Sequence, residues 1–154
     1  MDSRRFAVGV GVVVILATFG CGGPKEASVE TGDETKSAAR DMTPGTLVDD
    51  KVSKSEDPVD WRRFTVEEQT PATLNIYWDN PKVGAKVGIR DMFGGTVAEL
   101  VHASGAEKDG LANVTLKEGT YFVEVACTSG ASVYTLELFL GSATGGSFGI
   151  PRPE

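Results

Sequence analysis

Residues 46–141 predict an all-β domain, a single antiparallel β-sandwich of about seven or eight strands. Three observations point there. Short apolar-polar runs recur at regular spacing, Gly-containing turns separate them, and no stretch carries helical periodicity. About 95 residues are enough for one such core. The alternation implies one buried and one solvated face per sheet.

The strands follow in order. A short one is expected near Thr46–Val52, then Trp61–Val66 (WRRFTV). Thr73–Trp78 (TLNIYW) alternates, with Leu74, Ile76 and Trp78 on one face and Thr73, Asn75 and Tyr77 on the other. Ala85–Arg90 and Thr96–Val101 flank DMFGG, where Gly94-Gly95 marks a tight hairpin turn. In Leu111–Leu116, strict alternation sets Leu111, Asn113 and Thr115 opposite Ala112, Val114 and Leu116. KEGT turns the chain into Tyr121–Cys127, and TSGA leads to Ser132–Leu140, with Tyr134, Leu136, Leu138 and Leu140 on one face. The tail 142–154 is Gly/Pro-rich and is expected to be loose. No internal repeat is present.

Ahead of the domain lies a leader. Arg4 and Arg5 precede an uncharged run of 14 residues, Phe6–Phe19, and Gly20 stands directly before Cys21. A basic start, a short apolar stretch and a small residue describe a secretory signal peptide over residues 1–20. The run falls short of the roughly 20 residues of a comfortable bilayer span, which disfavours an uncleaved membrane helix. Gly20 and Cys21 resemble the end of the lipobox of bacterial lipoproteins, while Thr18 and Phe19 depart from it. The resemblance implies cleavage between Gly20 and Cys21 and acylation of Cys21. An ordinary signal peptide cut within Gly20–Gly23 is the alternative. Two or more acyl chains anchor stably, since each buried methylene contributes about 0.8 kcal/mol. Gly22 rather than Asp after the cysteine favours, by analogy, the outer membrane, facing periplasm or cell surface.

From the expected lipidated cysteine to Gly45 the chain has low hydrophobicity and many Glu, Lys, Ser, Thr and Gly residues, the composition of a disordered tether. A short helix around Lys36–Met42 has little apolar face to bury. The 24 residues after Cys21 would reach roughly 80 Å fully extended, or about 25–30 Å as a flexible coil. Without residues 1–20, which hold Asp2, Arg4 and Arg5, the net charge moves from −7 to −8. Such a chain does not seek nucleic acid, which attracts Lys and Arg clusters. It lacks the polybasic segment that binds anionic lipid. The anchor would therefore be lipid, and the partners other envelope proteins.

Few residues suggest chemistry. His102 is the only histidine and lies in a polar loop, VHASGAEKDG, where it is expected to be solvated. No G-x-S-x-G, H-E-x-x-H or Cys/His cluster occurs, so an enzyme is not expected. A transition-metal site lacks ligands. Asp49, Asp50, Glu56, Asp57 and Asp60 gather before the Trp61 strand. They read first as solvated loop acids with a turn-forming Asp. Should calcium bind, which wants six to eight oxygens, Asp57 and Asp60 are the first candidates, although the D-x-D-x-D-G spacing is missing. In NIYWDNP, Trp78 shares the apolar face, which leaves Tyr77 as the candidate for contact with a sugar or peptide. Tyr121 follows a Gly-Thr turn that its hydroxyl could pin. Cys127 shares a face with Val123 and Val125 and is expected to be buried.

The order of motifs resembles the bacterial pre-peptidase C-terminal domain. DPVDWRRFTV matches that family's acidic-aromatic strand at Asp57, Asp60, Trp61 and Phe64. EGTYFVEVACTSGASVYTLELFL matches its final strand pair at Gly119, Thr120, Tyr121, Val123, Val125, Tyr134, Thr135 and Leu136. The similarity spans roughly Asp57–Leu140, with departures at Cys127 and at VGIRD. It implies a jelly-roll-like sandwich used as an accessory module, not itself a peptidase. Some relatives bind calcium or polymers. The expected function is a lipid-anchored, non-catalytic binding module of an envelope or surface assembly. The alternative is a calcium-assisted binder of an extracellular polymer, polysaccharide or protein.

Overall fold

A computed structural model of the chain describes residues 32–141; Gly20 and Cys21, the first part of the expected tether and the tail 142–154 lie outside the described residues. Among the described residues nine strands appear in order: β1 Arg40–Asp41, β2 Leu47–Ser53, β3 Val59–Val66, β4 Thr70–Trp78, β5 Gly84–Arg90, β6 Thr96–Val101, β7 Lys108–Leu116, β8 Gly119–Ser129 and β9 Ala131–Leu140. They form two sheets, β1-β3-β8-β5-β6 and β2-β9-β4-β7. Every pairing is antiparallel except β1 with β3. The predicted β-sandwich is the fold observed.

Alternation decides what lies between the sheets. Phe64 and Val66 of β3, Val123, Val125 and Cys127 of β8, and Ala85, Val87 and Ile89 of β5 face Ala72, Leu74, Ile76 and Trp78 of β4 and Tyr134, Leu136 and Leu138 of β9. All are buried, as expected for Trp78 and Cys127, and the burial of these side chains supplies the main favourable term in folding. Burial also holds the Cys127 thiol above its usual range. The Tyr121 hydroxyl accepts from Lys117 N at 3.2 Å and so ties the β7–β8 turn. Gly94, at φ +90°, closes the β5–β6 hairpin in a conformation that side-chain-bearing residues avoid.

Three expectations change. Strict alternation in β7 fails: Ala72 pairs with Val114 but Leu74 with Leu111, so two residues oppose one. Asn113 takes φ +55° at this bulge, and both Leu111 and Val114 turn toward the core. His102 is buried. Its Nδ1 lies 2.5 Å from Asp109 Oδ2, its Nε2 lies 3.0 Å from the Pro81 carbonyl, and its ring packs 5.1 Å from that of Trp78. The polar run around it hid three partners, two of them distant in sequence.

The third change concerns residues 33–42, which composition assigns to the tether. A single 3₁₀ turn, Lys36–Ala38, leads into β1. Asp33, Ala39 and Met42 are buried. Met42 N donates to Arg63 O at 2.8 Å, and Trp61 N donates to Asp33 O at 3.0 Å. This N-terminal strap is held by backbone bonds and charge, which a mean hydropathy does not register.

Candidate cation site

The parity of β3 that buries Phe64 and Val66 also turns Arg62 and Asp60 inward, two and four residues before Phe64. Asp50, on the parity of Val52 in β2, and Tyr134, on that of Leu136 in β9, face them from the other sheet. Asp57 is fixed just before β3 by a two-way backbone bridge to Ser53 (2.8 and 3.0 Å). Asp33 arrives on the strap. Asp33, Asp50, Asp57 and Asp60 are all buried.

Arg62 is the hub. Its Nη2 donates to Asp50 Oδ2, and its Nη1 lies 3.0 Å from Asp33 Oδ2. Arg40 Nε approaches the same Asp33 oxygen at 3.7 Å. Asp50 Oδ1 accepts from Lys51 N at 2.8 Å, and Asp60 Oδ2 accepts from the Tyr134 hydroxyl at 2.5 Å. Among the described residues no donor group reaches either oxygen of Asp57, Oδ1 of Asp60, or either oxygen of Asp33, whose Oδ2 has only ion-pair contacts, and the Asp57 and Asp60 carboxyls lie close enough to share a proton between them. One oxygen each from Asp33, Asp50 and Asp60 lies within 4.8 Å of the others.

The charge does not close. Fully ionised, the four carboxylates exceed the two guanidinium charges by two. Unpaired charge inside a protein is costly, and a buried group shifts its pKa to escape it. Asp60 shows this most, being pushed up to about 8 by burial, with the negative charges of Asp57 and Asp33 adding to the shift and the Tyr134 hydrogen bond opposing it. Asp57 is raised by burial and then by Asp33 and Glu34; Asp33 is raised by burial against the pull of Arg62. Two protons or one divalent cation would restore neutrality. The unpartnered oxygens are hard donors of the kind that calcium takes. Asp33, Asp50 and Asp60 are the residues that could hold such an ion, with Arg62 already paired to the first two.

Both sequence candidates, Asp57 and Asp60, belong to this cluster. Asp33 and Arg62 escaped the sequence reading, and Asp50 was gathered there with the acids before Trp61 but not among the first candidates. Asp50 and Arg62 carried a signal, since each alternates with core residues of its strand; Asp33 carried none. Tyr77 sits elsewhere, half-exposed on the solvent side of β4. Lys108 Nζ lies 4.9 Å from its ring centroid, and its hydroxyl donates weakly to Glu137 at 3.4 Å.

No protein-family model and no curated protein matches the chain. Solved structures do. The pre-peptidase C-terminal domain of a collagenase from Bacillus anthracis aligns over 65% of this chain and 93% of its own, with TM-score 0.55 and 18% identity. PliG of Aeromonas hydrophila, a periplasmic inhibitor of g-type lysozyme, aligns over 66% and 95%, with TM-score 0.40 and 9% identity. At these identities the first match speaks for the fold, in agreement with the resemblance carried by the DPVDW and GTYFV motifs.

Proposed function

We propose that this chain is a non-catalytic binding module of the cell envelope, carried on an acylated Cys21, with its N-terminal strap fastened by a divalent cation, calcium on the chemistry of the donors. The observation that carries the cation is the buried cluster of Asp33, Asp50 and Asp60, one oxygen of each within 4.8 Å of the others, with Asp57 beside Asp60 and an excess of two negative charges. Asp33 belongs to the strap and Asp57 and Asp60 to the sandwich. The ion, when bound, supplies charge at that junction. Arg62 and Tyr134 orient Asp50 and Asp60 around it. The role is structural: it sets how the module leaves its tether and so how its outer faces are presented to a partner.

The partner is another envelope protein in the first reading and an extracellular polymer in the second. Titration calorimetry with calcium on the folded protein, beside a thermal melt, tests the ion. One site with heat and a raised Tm is expected, both lost in Asp60→Asn. Neither heat nor a shift would remove calcium from the proposal. Cross-linked capture from native membranes, compared with Cys21→Ser, tests the setting. A recurrent envelope protein found only with the anchored chain supports the first reading, and none in either sample supports the polymer.

A further inference from the structure

We propose that the tip of the β5–β6 hairpin, Met92–Phe93, inserts into the interface of the membrane that carries the protein. Phe93 is 84% exposed and Met92 58%, two adjacent large apolar side chains at the end of a turn. Nothing in the turn is slack. Asp91 Oδ1 accepts from Phe93 N (2.9 Å) and Gly95 N (2.7 Å), and backbone bonds join Asp91 and Gly95 (2.9 Å) and Gly94 and Asp91 (2.9 Å). Gly95 has no room for a Cβ, which would come 2.7 Å from Asp91 Oδ2. The Asp91 carboxylate is thus turned onto its own loop, and the apolar pair is displayed on a rigid mount. Ordering a loop is a main cost of binding, and here the loop is already ordered.

Size and route select the lipid surface. Two side chains are far too little for a stable protein interface, which buries about 1,200 Å² or more. They are enough for a shallow wedge, because aromatic side chains favour the boundary between water and acyl chains. The strap leads straight to this tip: Lys36 Nζ donates to the Met92 carbonyl at 2.8 Å. Lys36 is fifteen positions after Cys21, a reach of about 50 Å at full extension. The same chain segment that leads back to the proposed anchor is therefore bonded to the hairpin. The insertion is apolar, which suits a chain of net negative charge that has no electrostatic claim on anionic lipid.

This proposal rests on the envelope anchoring above. The test places Phe93→Trp in the full-length acylated protein on phosphatidylcholine vesicles brominated along the acyl chain, and subtracts the parent signal of Trp61 and Trp78. Blue-shifted emission, quenched by bromine and unchanged by added salt, is expected. Val101→Trp is the control. It is 66% exposed at the far end of β6, about 17 Å along that strand from Thr96, and should stay unquenched. A Cys21→Ser chain held on the same vesicles by nickel-chelating lipid and a C-terminal histidine tag reads the tip independently of acylation. Failure of the anchor and failure of the insertion then appear separately. Water-like, unquenched emission from Phe93→Trp on membrane-bound protein would overturn the insertion. So would equal quenching at both positions, or a blue shift seen only when solubilised envelope protein is added.

Discussion

Tyr134 on β9 donates its hydroxyl to Asp60 Oδ2 on β3 across 2.5 Å, a bond that crosses from one sheet to the other inside the sandwich. It favours the ionised carboxylate, while burial favours the protonated one. Tyr134→Phe removes the donor and leaves an acceptor buried. A loss of about 1–3 kcal/mol is expected by denaturant unfolding. The loss should be larger at pH 9 than at pH 6, because the missing bond served the ionised form. A pH-independent loss would show that the hydroxyl acts only by packing.

The same carboxyl gives a pH dependence with a definite sign. In the unfolded chain an Asp titrates near 4, whereas in the fold Asp60 is pushed up to about 8. Between those values the folded chain holds a proton that the unfolded chain has released. Stability is therefore fully present below about pH 4 and lost as pH rises through about 8. Asp33 and Asp57, also raised, add in the same direction. In chelator, thermal melts should fall in Tm across this window. Asp60→Asn should flatten the decline, and excess calcium should flatten it in the parent protein.

Arg62 pairs with both Asp33 and Asp50 and is itself buried. Removing one partner of a buried pair leaves uncompensated charge, with a cost of about 3–5 kcal/mol. Arg62→Met should lose stability on this scale in chelator and release the strap, so that protease cuts within residues 33–42 while the rest persists. Calcium should restore part of the protection. A variant that keeps its strap protected in chelator would show that the backbone bonds of Met42 and Trp61 suffice.

His102 ties two loops. One ring nitrogen meets Asp109, which also accepts from Trp78 Nε1 at 2.9 Å, and the other meets the Pro81 carbonyl. His102→Leu should cost about 1–3 kcal/mol, since it leaves a part-buried acceptor, Asp109 or the Pro81 carbonyl, short of a donor. The same substitution should leave calcium affinity unchanged, because His102 makes its bonds with Asp109 and Pro81 and not with the acid cluster. Calorimetry on the variant checks both statements apart.

What the sequence discloses and what it withholds divides along physical lines. Strand positions were legible because alternation is local: Leu74, Ile76 and Trp78 announce their face within five residues. The bulge at Asn113 was not, because register belongs to the pair of strands. Asp57 and Asp60 drew notice as acids before an aromatic strand, but their burial follows from the parity that Asp60 shares with Phe64. Arg62 drew no notice in the sequence, because its partner Asp50 comes from the other sheet. Asp33 sat in a run of polar residues whose composition matches a linker. Its place in the fold depends on Arg62 and on the Trp61 amide, neither of which lies near it in sequence.

The pairing of β1 with β3 has a consequence of its own. β3 would otherwise be the open border of its sheet, offering unpaired amides and carbonyls to any passing strand. Arg40 and Asp41, two residues borrowed from the polypeptide's own lead-in, cover the middle of that border in the parallel sense, beside Arg62 and Arg63. While the lead-in is docked, the Trp61–Arg63 stretch of the β3 border is closed to another strand.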